Sequence, residues 1–163
     1  MQNDMNIGLS ATNRAIVAKE LARMLADEFV LYIKTRNAHW NVIGNDFAEK
    51  HKLFESQYEQ LNTIIDNVAE RIRALGHFVP GTLTETLANT NLKDEKFPLN
   101  NSTGIIGILL ADHETIIRNL RNQISFFANE QEDLGTSDFV TGLMQDHEKA
   151  AWFLRAHLDK STG

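Results

Sequence analysis

Apolar residues recur along this chain at intervals of three and four, over stretches long enough to predict amphipathic helices. From about Arg14 to Trp40 the repeating positions are Ile16, Val17, Leu21, Leu25, Phe29, Tyr32 and Ile33. The segment Val42-Ile43-Gly44-Asn45 interrupts that run. A second stripe follows: Phe47, Phe54, Tyr58, Leu61, Ile65, Val68 and Ile72. Asn45 is its expected N-cap, and Asp46 and Glu49 suit the positive end of the helix dipole. Arg71 and Arg73, then Gly76, mark where it stops. A third helix is expected from Ser102 to Asn129 on Ile105, Ile106, Leu109, Ile116, Ile117, Leu120, Ile124 and Phe127. After an acidic turn from Glu130 to Gly135, a fourth runs from about Ser137 to Asp159. Residues 1–13 are polar and aperiodic and are expected to form a flexible tail, leaving 14–160 as one domain.

Between the second and third helices lie residues 77–101, with both prolines, Pro80 and Pro98, and Gly81. Within them Thr82 to Ala88 can form one short helix started by a threonine cap. Such a length is unusual between neighbouring antiparallel helices. It suits a chain crossing from one end of a bundle to the other. The fold class expected is therefore all-α: a ferritin-like four-helix bundle whose long crossover carries a short helix.

Composition narrows the chemistry. The chain of 163 residues has no cysteine, so disulfides, thiolate metal sites, iron–sulfur clusters and cysteine nucleophiles are excluded. Its formal net charge of -6 makes its surface as a whole a poor binder of polyphosphate. The start lacks a basic region and an apolar core, and the apolar runs, such as Ile108-Leu109-Leu110-Ala111, are far too short to span a membrane. No membrane association is expected, and the expected compartment is the cytoplasm.

Metal ligands are the next question. A di-metal site inside a bundle usually takes Glu-x-x-His from two helices. Three residues before His39, His51, His77, His113, His147 and His157 stand Arg36, Ala48, Ala74, Leu110, Met144 and Leu154, none of them glutamate. A different set remains. His39 ends the first helix; His51 and Glu55, then Asp66 and Glu70, form two pairs one turn apart on the second. Imidazole with carboxylate suits iron, zinc or manganese. His39 and His51 lie symmetrically about Asn45, so a helical hairpin can bring them level.

The two pairs on the second helix are about 22 Å apart along its axis, too far to share an ion. All four positions fall within an arc of roughly 100°, beside the core stripe and not on it. One geometry uses both pairs: a two-fold axis near residues 60–61 packs two copies antiparallel, so that His51 and Glu55 of one meet Asp66 and Glu70 of the other. The plainer reading of the same residues is a solvated helix face. His77, His113, His147 and His157 are expected to be satisfied or exposed, without a ligand role.

At these residues the chain resembles the Dps family, the mini-ferritins named as DNA-binding proteins from starved cells. The resemblance is carried by Leu31-Tyr32-Ile33-Lys34-Thr35-Arg36-Asn37-Ala38-His39-Trp40-Asn41-Val42, by His51 to Tyr58, by Ile65-Asp66-Asn67-Val68-Ala69-Glu70-Arg71-Ile72 and by Glu148 to Arg155. It covers about residues 10–160. It implies a ferroxidase centre at a dimer interface, with His39, His51 and Glu55 from one subunit and Asp66 and Glu70 from its mate. Two irons per site are implied, and other divalent ions such as zinc can substitute. Where the family commonly has aspartate this chain has Glu55, which keeps an oxygen ligand but lengthens its reach. Trp40, beside the first histidine, is expected to pack, with the trapping of an oxidising equivalent as its alternative role; for Trp152 packing is expected. The resemblance further implies a homo-oligomer, a hollow dodecamer that oxidises Fe(II), preferentially with hydrogen peroxide, stores ferric mineral and so protects DNA. Glu130, Glu132, Asp133, Asp138 and Asp146 are the candidate lining of an iron-entry pore. The alternative function is a nucleoid-associated DNA binder with incidental metal binding. Residues 1–13 hold no lysine or arginine and Lys160 to Gly163 hold one lysine, so DNA binding is expected to be weak or absent.

Overall fold

Three of the four long helices begin where a side chain accepts from one of the first free N–H groups. In a computed structural model, which describes residues 5–158, helix α1 spans Ala11–Asn41 and the Ser10 hydroxyl accepts from the Asn13 amide at 3.0 Å. The helix therefore starts inside the segment expected as tail. Residues 5–9 run back against the bundle, where the Arg14 guanidinium donates to the Leu9 carbonyl at 2.7 Å. Residues 1–4 of that tail and the last five residues, with Asp159 and Lys160, lie outside the described residues.

Helix α2 spans Phe47–Ala74. Its N-cap is Asp46 and not Asn45, and the carboxylate of Asp46 makes no capping bond. A hydrogen bond from Ser102 holds that carboxylate below its usual range. The α1–α2 turn is further tied to the start of α4 by the Ile43 amide, which donates to the Asn100 carbonyl at 2.9 Å. At the far end Gly76 takes the left-handed conformation, φ +88°, that closes the helix.

The crossover carries α3, Leu83–Asn89, started by a reciprocal box between Thr82 and Glu85. Asp27, buried on α1, fixes its far end by accepting from the Thr90 hydroxyl, the Asn91 amide and the Asn91 side chain at 2.6–3.0 Å. Helix α4 spans Ser102–Ser125 and ends in one π turn, Phe126–Glu130, where continuous α-helix was expected to Asn129. Helix α5 spans Leu134–Ala156. It starts before the expected Ser137 because Asp133 caps it, accepting from the Thr136 amide at 2.8 Å.

Helix α1 packs along α2 and α4 along α5, and their apolar faces meet around Leu21, Leu25, Phe54, Leu61, Ile105 and Leu109. Ile16 and Ile33, read as core positions, are exposed. Their places on the buried face of α1 go to Glu28, Lys34 and Thr35. Glu28 finds a partner for one of its oxygens at a distance: its Oε1 lies 2.9 Å from Nε2 of His147, whose Nδ1 is 2.9 Å from Nδ1 of His113. Lys34 pairs with Asp112. Burial raises the Asp112 carboxyl above its ordinary range, against the Lys34 ammonium, which holds it down.

Candidate metal centre

The turn at residues 42–46 folds α2 back on α1 so that His39 and His51 stack, ring centroids 3.7 Å apart and planes 21° from parallel. Their hydrogen bonds are reciprocal. Nδ1 of His39 lies 2.9 Å from the His51 carbonyl, and Nδ1 of His51 lies 2.9 Å from the His39 carbonyl. A carbonyl only accepts, so each Nδ1 carries the proton and donates. In the neutral rings the lone pair is therefore at Nε2 on both. This is how a protein presents imidazole to a metal: one nitrogen anchored and its tautomer fixed, the other free to ligate. Phe47 lies 5.1 Å from the His51 ring, and Tyr58 meets the His39 ring edge-on at 5.2 Å.

Glu55 follows His51 by one turn and is half-buried, while Asp66 and Glu70 are exposed about three and four turns beyond Glu55. Phe54, Leu61, Ile65 and Ile72 are buried, so these polar residues flank the core stripe. The structure thus brings His39 and His51 together and leaves Asp66 and Glu70 apart from them. Among the described residues, no three histidine or acidic side chains of one chain are grouped closely enough to hold an ion. The donors that do meet fit a metal in kind and tautomer, but one chain offers them only in part.

Of the acids read as pore lining, Glu130, Glu132, Asp138 and Asp146 are exposed, but Asp133 is buried. Its carboxylate is committed to Thr136 and to the Arg71 guanidinium at 3.2 Å. Trp40 and Trp152, expected to pack, are 62% and 61% exposed in the chain. Two groups were not singled out in the sequence. Tyr58 is two helical turns from His51, a spacing that would have placed it on the same face. Arg36, one turn from His39, lies over the Tyr58 ring at 4.7 Å.

The family model for the ferritin-like domain matches residues 18–162. A DNA protection during starvation protein of Helicobacter pylori is 34% identical, with 85% of this chain and 95% of that protein aligned. The chain is a Dps-family mini-ferritin of the ferritin-like fold. An uncharacterized low temperature-induced protein of Nostoc is 41% identical to this mini-ferritin over 95% of the chain and 87% of the relative. The crystal structure of a Vibrio cholerae Dps protein, described as a ferritin-like diiron-carboxylate protein, superposes with a TM-score of 0.90. It is 29% identical and covers 97% of this mini-ferritin and 100% of its own chain.

Proposed function

We propose that this mini-ferritin stores and detoxifies iron, oxidising Fe(II) at sites shared between two copies of the chain. The observation that carries the reading is the His39–His51 clasp, which leaves an Nε2 lone pair on each ring, with Glu55 one turn on from His51 and the matching acids at the other end of α2. In an antiparallel pair about residues 60–61, Asp66 and Glu70 of a second copy face His51 and Glu55 of the first. Each pair of chains then has two equal sites, and Fe(II), the substrate, meets nitrogen and oxygen donors at both. Two such pairs of donors hold two ferrous ions close together. Hydrogen peroxide, the preferred oxidant, takes one electron from each ion and with two protons becomes two waters. No hydroxyl radical is released on that route. The assembly proposed is a dodecamer with ferric mineral inside, entered past exposed acids such as Glu130 and Asp138, whose field concentrates cations. DNA binding is weak or absent, for want of basic residues in 1–13.

The test is His51→Ala combined with Asp66→Ala, which removes one donor from each half of every site. Rapid peroxide-dependent Fe(II) oxidation should be lost in single-turnover stopped-flow, while particle size by light scattering is kept. Oxidation at the wild-type rate in that double variant would refute the shared site.

A further inference from the structure

We propose that Arg36 guards the aromatic side chains beside this site against one-electron oxidation, an inference that rests on the ferroxidase reading for the source of the oxidant. The guanidinium carbon of Arg36 lies 4.7 Å from the ring centre of Tyr58, 5.0 Å from Trp40 and 5.7 Å from Tyr32. Its Nη1 also donates to the Tyr32 hydroxyl oxygen at 2.8 Å. Tyr58 touches the His39 ring edge-on at 5.2 Å and reaches Tyr32 at 6.2 Å. Three oxidisable rings therefore lead away from a candidate iron ligand, and one permanent cation faces all of them.

A cation over a neutral ring is attracted by its electron-rich face. Removing an electron from the ring turns that attraction into repulsion between like charges about 5 Å apart. A phenol must also give up its proton when it is oxidised, and a guanidinium has only donors with which to meet it. At Tyr32 the guanidinium already occupies the oxygen. Arginine stays charged throughout the physiological pH range, so the effect is constant. The step opposed arises when a lone Fe(II) meets peroxide. One electron passes, giving Fe(III), hydroxide and a hydroxyl radical. The radical then takes an electron from the Trp40 indole and becomes hydroxide, leaving an indole radical cation.

The molecule carries its own reference. Trp152 is as exposed as Trp40 and packs on Phe153 at 5.0 Å. In iron-free protein, photogenerated tris(bipyridine)ruthenium(III) supplies a one-electron oxidant, and peptide mass mapping gives the ratio of Trp40 to Trp152 oxidation. That ratio should rise about two- to fivefold in Arg36→Gln, the range set by an exposed cation–ring contact, and stay near wild type in Arg36→Lys. An unchanged ratio in Arg36→Gln overturns the proposal, as does an equal rise in Arg36→Lys, which would make shape and not charge the cause. With Fe(II) and peroxide, Arg36→Gln should consume both in the wild-type proportion while more Trp40 and Tyr58 are damaged. Absence of Fe(II) oxidation by the wild type would instead refute the ferroxidase reading, and the iron-free ratio would still decide the role of Arg36.

Discussion

Five histidines of this chain show that what a ring does is set by what its nitrogens touch. His39 and His51 spend Nδ1 on backbone carbonyls and keep Nε2. His157 is exposed, its Nδ1 3.1 Å from the Lys50 ammonium. His147 spends both nitrogens, on Glu28 and on His113. His113 is left in the core with an Nε2 that has no partner. Burial, and then the neighbouring His147, push the His113 imidazole well below its ordinary range, so the folded chain keeps it neutral. The unfolded chain protonates it near pH 6.5. Above that pH neither state charges the ring and no penalty arises. Below it the unfolded state takes up a proton that the folded state refuses, and stability falls by up to about 1.4 kcal/mol per pH unit. Melting temperatures by calorimetry should therefore drop between pH 7 and pH 5, with a shallower drop in His113→Gln. An unaltered slope in that variant would show that another group sets the acid limit.

Helices were legible in the sequence where the chemistry of their ends is local. The box of Thr82 and Glu85 and the stop at Gly76 are both written in adjacent residues, and both stand in the structure. Ends fixed by distant partners were not legible. Asp46 and not Asn45 is the N-cap of α2, with its carboxylate held by Ser102, and Asp133, read as part of an acidic turn, starts α5 while holding Arg71. The same division runs through the site. The symmetric spacing of His39 and His51 about the turn was visible, and the structure sets them level. Glu28, buried on α1 next to Asp27, meets its partner 119 positions away, and only the packed bundle explains it. A sharp element-scale prediction concerns Gly76. Its φ of +88° is unfavourable for a residue with a side chain, and an added Cβ would lie 3.1 Å from the Met5 methyl. Met5 can yield, so the backbone conformation dominates. Gly76→Ala should destabilise the chain by about 1–2 kcal/mol in urea unfolding, leaving the initial rate of Fe(II) oxidation unchanged.

At the scale of the whole molecule, a negative net charge and two rows of donors on one helix act together. The charge of -6 keeps copies apart at long range, so contact surfaces must supply the attraction. Exposed apolar groups are available for it: Ile33, Leu83 and Leu87 line one groove between α1 and α3, and Leu134 stands out at the start of α5. Among the described residues no helix is long and apolar enough to cross a membrane. The distance along α2 between the His51–Glu55 and Asp66–Glu70 pairs has a genetic meaning as well as a structural one. In the proposed antiparallel pair each chain lends half of two different sites, so two broken chains need not make a broken particle. Joined as a mixed dimer, His51→Ala and Asp66→Ala concentrate both defects in one site and leave the other whole. Co-assembled from equal amounts, the two inactive variants should regain about a quarter of the wild-type sites, which random pairing across a two-fold axis requires. Recovery of that share of Fe(II) oxidation after mixing during refolding, and none after mixing finished particles, would be complementation between alleles of one gene.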